Sequence, residues 1–299
     1  MRWRVLLLRS PCMGHLIPFA ELSRRLVADH GLAATLLFAA ATSPPSTPVG
    51  VRAMHAVIFS VPRIREVVRS LAAAAPLAAL VVDMIGTPAR RVAAELGVPS
   101  YVFFTSPWMT LSLFLRLPKL DATRSEEHRD ATEPICLPGY ALIHAHEPPR
   151  SMLADRSSES YTGLLAMAKE VRVVDGILVN TFRDLEPALG DGLEGLEVPI
   201  HPVGPLVLTR LVAVDRDHEC LRWLDQQPRR SVVYVSFGSG GTLTWQKTAE
   251  LALGLEFSHR RFIWVVKKPH QDTSSGLLLK KKRLQWITCL RVSLRGQVG

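Results

Sequence analysis

The sequence predicts an α/β protein built on a parallel, doubly wound sheet. Three observations carry that reading. Short apolar runs of strand length alternate with segments of helical spacing between residues 4 and 104. Prolines, glycines and capping residues punctuate the joins between them. Beyond a proline-stiffened stretch at 198–206 the alternation resumes, so the chain reads as two α/β domains, which 299 residues with 47% hydrophobic content can supply with cores.

Arg4-Val5-Leu6-Leu7-Leu8-Arg9 is the first strand. Pro11 and Gly14 then break the chain, and Ile17, Phe19, Leu22 and Leu26 recur at helical spacing. Pro18 suits a first helical turn, where a missing N–H costs nothing, and Gly31 suits the residue just past the helix end. A second strand at 34–39 leads into a loop, Ser43-Pro44-Pro45-Ser46-Thr47-Pro48, and a helix is predicted over 61–75. Leu80-Val81-Val82-Asp83 is a third strand ending on an acid. A helix follows with Thr87 as N-cap, Pro88 at its first position and Gly97 past its end. Tyr101-Val102-Phe103-Phe104 is the fourth strand.

Two of these joins carry the chemistry. In open α/β sheets ligands bind at the carboxyl ends of the strands, and His15 follows the first strand there. An imidazole with an ordinary pKa near 6.5 takes a proton at neutral pH. Asp83 holds the same place after the third strand, and ends of parallel strands emerge along one edge, so the two side chains are positioned to meet. A carboxylate there would orient the imidazole and stabilise its protonated form. The plainer alternatives are a local hydrogen bond for His15 and a helix cap or turn for Asp83.

From 118 to 150 the chain is polar and broken by prolines, a length that in a compact domain goes with function or mobility. Its His144-x-His146-Glu147 has metal-ligand residue types, although a solvated loop is the simpler reading. Helical spacing returns over 160–174 and a strand over 176–181, before the linker at 198–206 that is the expected domain boundary. A short helix at 220–225 precedes the strongest strand, Ser231 to Phe237. Gly238-Ser239-Gly240-Gly241 then opens a helix from Trp245, and Phe262 to Val266 closes the unit. Strand, glycine-rich loop and helix N-terminus favour phosphate, but a turn needing positive φ explains the glycines equally well.

Lys and Arg number 36 against 27 Asp and Glu, a net charge of +9. Eight of the basic residues follow position 266, with Asp272 the lone acid among them, so the excess is local and a nucleic-acid partner is not expected. The four cysteines form no C-x-x-C pair, which argues against a zinc site or a disulfide scaffold and for a reducing cytosol. The run Val5 to Leu8 is too short for a signal-peptide core, and no apolar run reaches the roughly 18 residues of a membrane span.

Six ordered segments carry a resemblance. They are Ser10-Pro-Cys-Met-Gly-His15-Leu-Ile-Pro, Leu80-Val-Val-Asp83-Met-Ile-Gly-Thr, Asn180-Thr-Phe-Arg-Asp-Leu-Glu186, His201-Pro-Val-Gly-Pro-Leu206, Cys220-Leu-Arg-Trp-Leu-Asp225 and Val233-Tyr-Val-Ser-Phe-Gly-Ser-Gly-Gly241. Spread in order over residues 3–272, they resemble the plant UDP-glycosyltransferases of small molecules, nearest to the branch that includes hydroquinone glucosyltransferases.

The resemblance implies a GT-B fold of two facing Rossmann-like domains. Residues 1–206 would be the acceptor domain and 207–272 part of a UDP-sugar domain, with 273–299 a disordered basic tail of no family likeness. It implies His15 as the base that deprotonates an acceptor hydroxyl and Asp83 as the acid that holds it. The freed oxygen would attack the anomeric carbon with inversion and without metal. Gly238, Ser239 and Gly240 would lie beside the donor phosphates, and Gly14, Phe104 and Trp108 beside the acceptor. The implied donor is a UDP-sugar, glucose first, acting as co-substrate with no separate cofactor. The implied acceptor is a small phenolic or hormone-like molecule, and the implied protein is a cytoplasmic monomer.

Two departures stand out. The chain is shorter than the family pattern between residues 41 and 61. The family's donor signature, a tryptophan-led stretch with His-Cys-Gly-Trp-Asn-Ser, is missing, since Asn180 is the sole asparagine in the chain. From residue 207 onward the chain is also short for a full nucleotide-binding half assembled from βαβ units of about 30 residues. The expectation is therefore a truncated or misread gene product, with a catalytically dead, ligand-binding remnant as the alternative function.

Overall fold

The computed structural model describes residues 2–39, 47–188, 190, 196–207, 218–238 and 243–266, and the backbone of Thr288–Arg291. The chain divides into two units between Leu208 and Thr209.

The first unit is organised around β1 (Arg4–Arg9), where Leu6, Leu7 and Leu8 are all wholly buried. A continuous apolar run is what a strand covered on both faces requires. Val5 and Leu7 pack with Phe19 and Leu22 of α1 (Met13–Ala28) on one face. Leu6 and Leu8 face the other layer, with residues from α2 (Val49–Ala74), α3 (Arg90–Glu95), α4 (Trp108–Thr123) and α5 (Glu159–Val171). The remaining strands are β2 (Ala33–Phe38), β3 (Leu77–Val82), β4 (Ser100–Phe104), β5 (Gly176–Val179) and β6 (Ile200–Pro202).

All five pairings are parallel, in the order β2-β1-β3-β4-β5-β6. The chain steps from β1 outward to β2 and then returns to lay β3 on the other side of β1. The carboxyl ends of β1 and β3 therefore flank the point where the winding reverses, which is where such sheets bind ligands. Gly31 and Gly97, at φ 65° and 64°, end their helices as the spacing predicts.

Several elements differ from expectation. α2 begins at Val49, not at 61, and runs through Pro62. Its added turns bury Val51, Ala53, Met54, Ala56 and Val57, a face of mostly small side chains with a weak sequence signal. The carbonyl that Pro62 leaves without a donor belongs to Ile58, on an exposed stretch with Phe59, so burial elsewhere outweighs a proline cost of about 3 kcal/mol. The 87–97 helix is two pieces: a 3-10 turn over Met84–Ala89 capped by Asp83, then α3. Thr87 is wholly buried, its hydroxyl on the Met84 carbonyl, and caps nothing.

The 118–150 stretch is more ordered than its composition suggests. α4 continues through Pro118 to Thr123, and Arg156 donates to the carbonyls of Asp121 and Arg124, pinning the excursion at its base. His128, Ile135, Leu137 and Met152 are buried beneath it. Residues 200–202 of the expected linker form β6, an edge strand, where proline's missing N–H is tolerated.

In the second unit, α6 (Glu219–Asp225) precedes β7 (Val232–Val235), α7 (Trp245–Phe257) and β8 (Arg261–Val266). β7 and β8 pair in parallel, and β9 (Thr288–Arg291) adds antiparallel to β8, so these residues of the tail are strand where disorder was expected. The lysine cluster Lys280 to Arg283 and the proline loop at 43–46 lie outside the described residues. Among the described residues, no helix is long and apolar enough to cross a membrane.

Candidate active site

β1 delivers Arg9 and Ser10 to the reversal point, and α1 starts immediately after Cys12. His15 thus stands in the first turn of α1 rather than in a loop, its N–H on the Cys12 carbonyl at 3.2 Å. Gly14 reads as a breaker in sequence, yet it is the second residue of α1, and glycine's backbone-entropy cost of about 1 kcal/mol does not stop the helix from starting there. Pro18 lies deeper in α1 than the first turn.

β3 ends at Val82, and Asp83 follows with its N–H on the Leu8 carbonyl. Its side chain is wholly buried and makes four hydrogen bonds. Oδ1 accepts from the Gly86 N–H at 2.7 Å. Oδ2 accepts from the Ser10 N–H at 2.8 Å, the Ser10 hydroxyl at 2.5 Å and His15 Nδ1 at 2.7 Å. Both readings of Asp83 therefore hold, since it caps a turn and holds the imidazole. A Cβ on Gly86 would lie 3.1 Å from Asp83 Oδ1, so glycine permits this close approach.

Burial pushes the Asp83 carboxyl up, but the hydrogen bond and charge of His15, with both Ser10 donors, outweigh it and hold the group below the usual carboxylate range. An ionised carboxylate only accepts, so His15 donates from Nδ1. The lone pair of the neutral ring is then on Nε2. The His15 side chain is 19% exposed, against 1% for Asp83, so the pair opens to solvent on the histidine side.

Sequence reasoning did not single out Ser10 or Arg9. Ser10 sits within the His15 segment and gives two donors to Asp83. Arg9 is 2% exposed, and its signal was a charged residue closing an otherwise apolar buried strand.

The other expected site residues divide. Gly14 is exposed with open space beside its Cα. Phe104 and Trp108 are 2% and 0% exposed, which corrects their assignment to an acceptor surface. Phe104 packs against Phe114, and the Trp108 indole donates to the Ala188 carbonyl at 2.9 Å. A ring with no open face serves the core. Gly238 has φ +67°, the backbone need weighed against a phosphate role, while Ser239 and Gly240 lie outside the described residues. His144 and His146 stack on each other, Glu147 accepts the His144 N–H, and no group of three metal-ligating side chains occurs among the described residues.

No protein-family model matches the chain. Hydroquinone glucosyltransferase of Rauvolfia serpentina is 40% identical over 302 residues, covering 89% of this chain and 63% of that protein. UDP-glycosyltransferase 72B1 of Arabidopsis thaliana is 41% identical over 307 residues, covering 91% and 64%. Among solved structures, apo UGT2 of Phytolacca americana is 34% identical with a TM-score of 0.79, covering 95% of this chain and 67% of that one. The chain belongs to the plant UDP-glycosyltransferase family.

A UDP-glucosyltransferase from Polygonum tinctorium capable of glucosylating indoxyl matches with a TM-score of 0.80 at 34% identity, covering 90% of this chain and 66% of that one. The fold is thus the α/β GT-B type of this plant family. The chain spans 63–64% of the length of the two curated relatives.

Proposed function

We propose that the chain is a UDP-dependent sugar transferase that moves glucose onto a hydroxyl of a small phenolic acceptor with inversion. The observation that carries the reading is the His15–Asp83 pair at the reversal point of the sheet. An acceptor O–H placed at His15 Nε2 gives up its proton as the oxygen bonds to the anomeric carbon. The bond from that carbon to the donor's β-phosphate oxygen breaks, and UDP leaves with the electron pair. Attack and departure on opposite faces invert the carbon. Asp83 offsets the positive charge that grows on the imidazole, and a base so placed is worth about 10²–10⁴-fold. Gly238 and its neighbours Ser239 and Gly240 take the donor phosphates in this reading, and no metal or further cofactor has a step.

The relatives agree in chemistry. One is named a hydroquinone glucosyltransferase, and UGT2 of Phytolacca americana is described in complex with UDP-2-fluoro-glucose and pterostilbene, at 38% identity and a TM-score of 0.79. Cys12 and Cys136 are free thiols, which supports a reducing cytosol, and we read the working form as a monomer.

A second reading is an acceptor-binding module without turnover. It is favoured by the missing donor signature. Calorimetric titration with UDP-glucose, followed by product assay with a simple phenol, separates the two. Saturation with turnover, lost about 10²–10⁴-fold in His15→Ala, is expected. Phenol binding without UDP-glucose binding establishes the second reading, and wild-type rates in His15→Ala overturn the base assignment.

A further inference from the structure

Arg9 ends β1 on the face shared with Val5 and Leu7, under the turn that joins β1 to α1. Its Nη1 donates to the Ser10 carbonyl at 2.9 Å and to the Cys12 carbonyl at 3.0 Å. Its guanidinium carbon lies 4.7 Å from the ring centroid of Phe38, the residue paired with it across β1 and β2. Nε has no hydrogen-bond partner among the described residues.

A buried cation with carbonyls and an aromatic face for company is costly to desolvate, so its neighbours must return that energy. Those neighbours are the two ends of the catalytic turn. Ser10 holds Asp83 through its N–H and hydroxyl, and the Cys12 carbonyl that Arg9 binds also receives the His15 N–H opening α1. Burial pushes the guanidinium below its usual range, the charge of Asp83 offsetting only part of that, and a guanidinium stays protonated regardless.

We propose that Arg9 is a positioning residue. By clamping the Ser10 and Cys12 carbonyls together, it fixes the start of α1 relative to Ser10, and so fixes the His15 imidazole with its Nδ1–H on Asp83. This inference rests on reading His15 as the base, but its consequence is a property of the imidazole that needs no turnover.

The test is the tautomer of His15 in the full chain labelled with ¹⁵N-histidine, its signal assigned among the ten histidines by loss in His15→Gln. In the wild type, the neutral form of the His15 ring is expected as a single tautomer protonated at Nδ1. Arg9→Met is expected to give a mixture of both tautomers, with the ring N–H exchanging roughly tenfold faster. Arg9→Lys keeps a donating cation at nearly the reach of the Nη1 that meets the two carbonyls, and is expected to restore the single tautomer. An Arg9→Met protein with the wild-type tautomer and exchange rate overturns the proposal.

A second measurement uses the unaltered chain and stands if Arg9→Met fails to fold. With ¹⁵N-arginine, the Arg9 guanidinium is expected to show hindered rotation and slow exchange. Free rotation, as at surface arginines, overturns the clamp. Tautomer control without turnover refutes the transferase reading alone, whereas turnover with an Arg9-independent tautomer refutes the clamp alone.

Discussion

His15 and Asp83, 68 positions apart, meet with Nδ1 2.7 Å from Oδ2 because β1 and β3 are neighbours in the sheet. That carboxylate oxygen also receives both Ser10 donors, so it is an acceptor three times over.

An amide cannot do the same. Asp83→Asn presents either a neutral oxygen or an NH₂ to three donors, losing the counter-charge to a protonated His15. Transfer is expected to fall about 10²–10⁴-fold. Stability should fall by about 1–3 kcal/mol as buried donors lose their partner. Turnover assays and urea melts check the two parts, and an unchanged melt would contradict the four-bond geometry.

Acid should destabilise the first unit in two windows. His128 Nε2 lies 2.9 Å from the Tyr161 hydroxyl, whose proton goes to Asp121 Oδ1 at 2.7 Å, so Nε2 donates and Nδ1 is a buried lone pair without a partner among the described residues. Burial, then the charges of Arg156 and Arg124, push the imidazole below its ordinary value against the opposing pull of Asp121 and Glu127. The unfolded chain therefore binds a proton that the folded chain refuses, and stability falls as pH drops below about 6.5. Glu21, held at about 2 mainly by its hydrogen bond from Arg24 with Arg25 assisting, adds a second loss as pH falls from about 4 toward 2. Denaturation midpoints across pH should show both slopes, and His128→Gln should flatten the first while leaving the second.

Glu186 is a cap supplied from a distance. The residue before α4 is Pro107, which has no capping side chain, and Glu186 instead accepts the N–H groups of Trp108 at 2.8 Å and Met109 at 3.0 Å. Tyr140 donates its hydroxyl to the same carboxylate. Glu186→Ala should cost about 2 kcal/mol and Tyr140→Phe about 1 kcal/mol, read from urea midpoints. Equal midpoints for Glu186→Ala and wild type would remove the cap.

Gly204 has no room for a side chain. A Cβ there would lie 2.6 Å from the Thr181 backbone nitrogen and 2.7 Å from the Asn180 carbonyl carbon, and backbone cannot swing aside. Gly204→Ala should destabilise by about 1–3 kcal/mol in a thermal melt. Nearby, the Asn180 amide oxygen accepts the Leu206 N–H at 2.7 Å. The Asn180 and His201-Pro-Val-Gly segments that carried the family resemblance thus work here as a lock between the end of β5 and the chain leaving β6.

Much of the first unit was legible in the sequence because its strands are wholly apolar and its joins are marked. β1, β3 and β4 stand where Val5 to Leu8, Leu80 to Val82 and Tyr101 to Phe104 placed them, and Gly31 and Gly97 end their helices by taking positive φ. The first turns of α2, before residue 61, were hidden because they bury mostly small side chains, and the end of α4 because Pro118 is a local veto that tertiary burial overrides. Phe104 and Trp108 were misjudged because an aromatic ring near a strand end has the same local pattern whether it faces a ligand or the core.

By itself the sequence determined that an imidazole and a carboxylate would each follow a strand at the carboxyl edge, since periodicity and punctuation are local properties. Only the tertiary structure decided that they touch, which oxygen of Asp83 serves which donor, and that Arg9 is buried beneath them. Those outcomes depend on strand order and on which groups packing removes from water, and both are set by contacts between residues far apart in the chain.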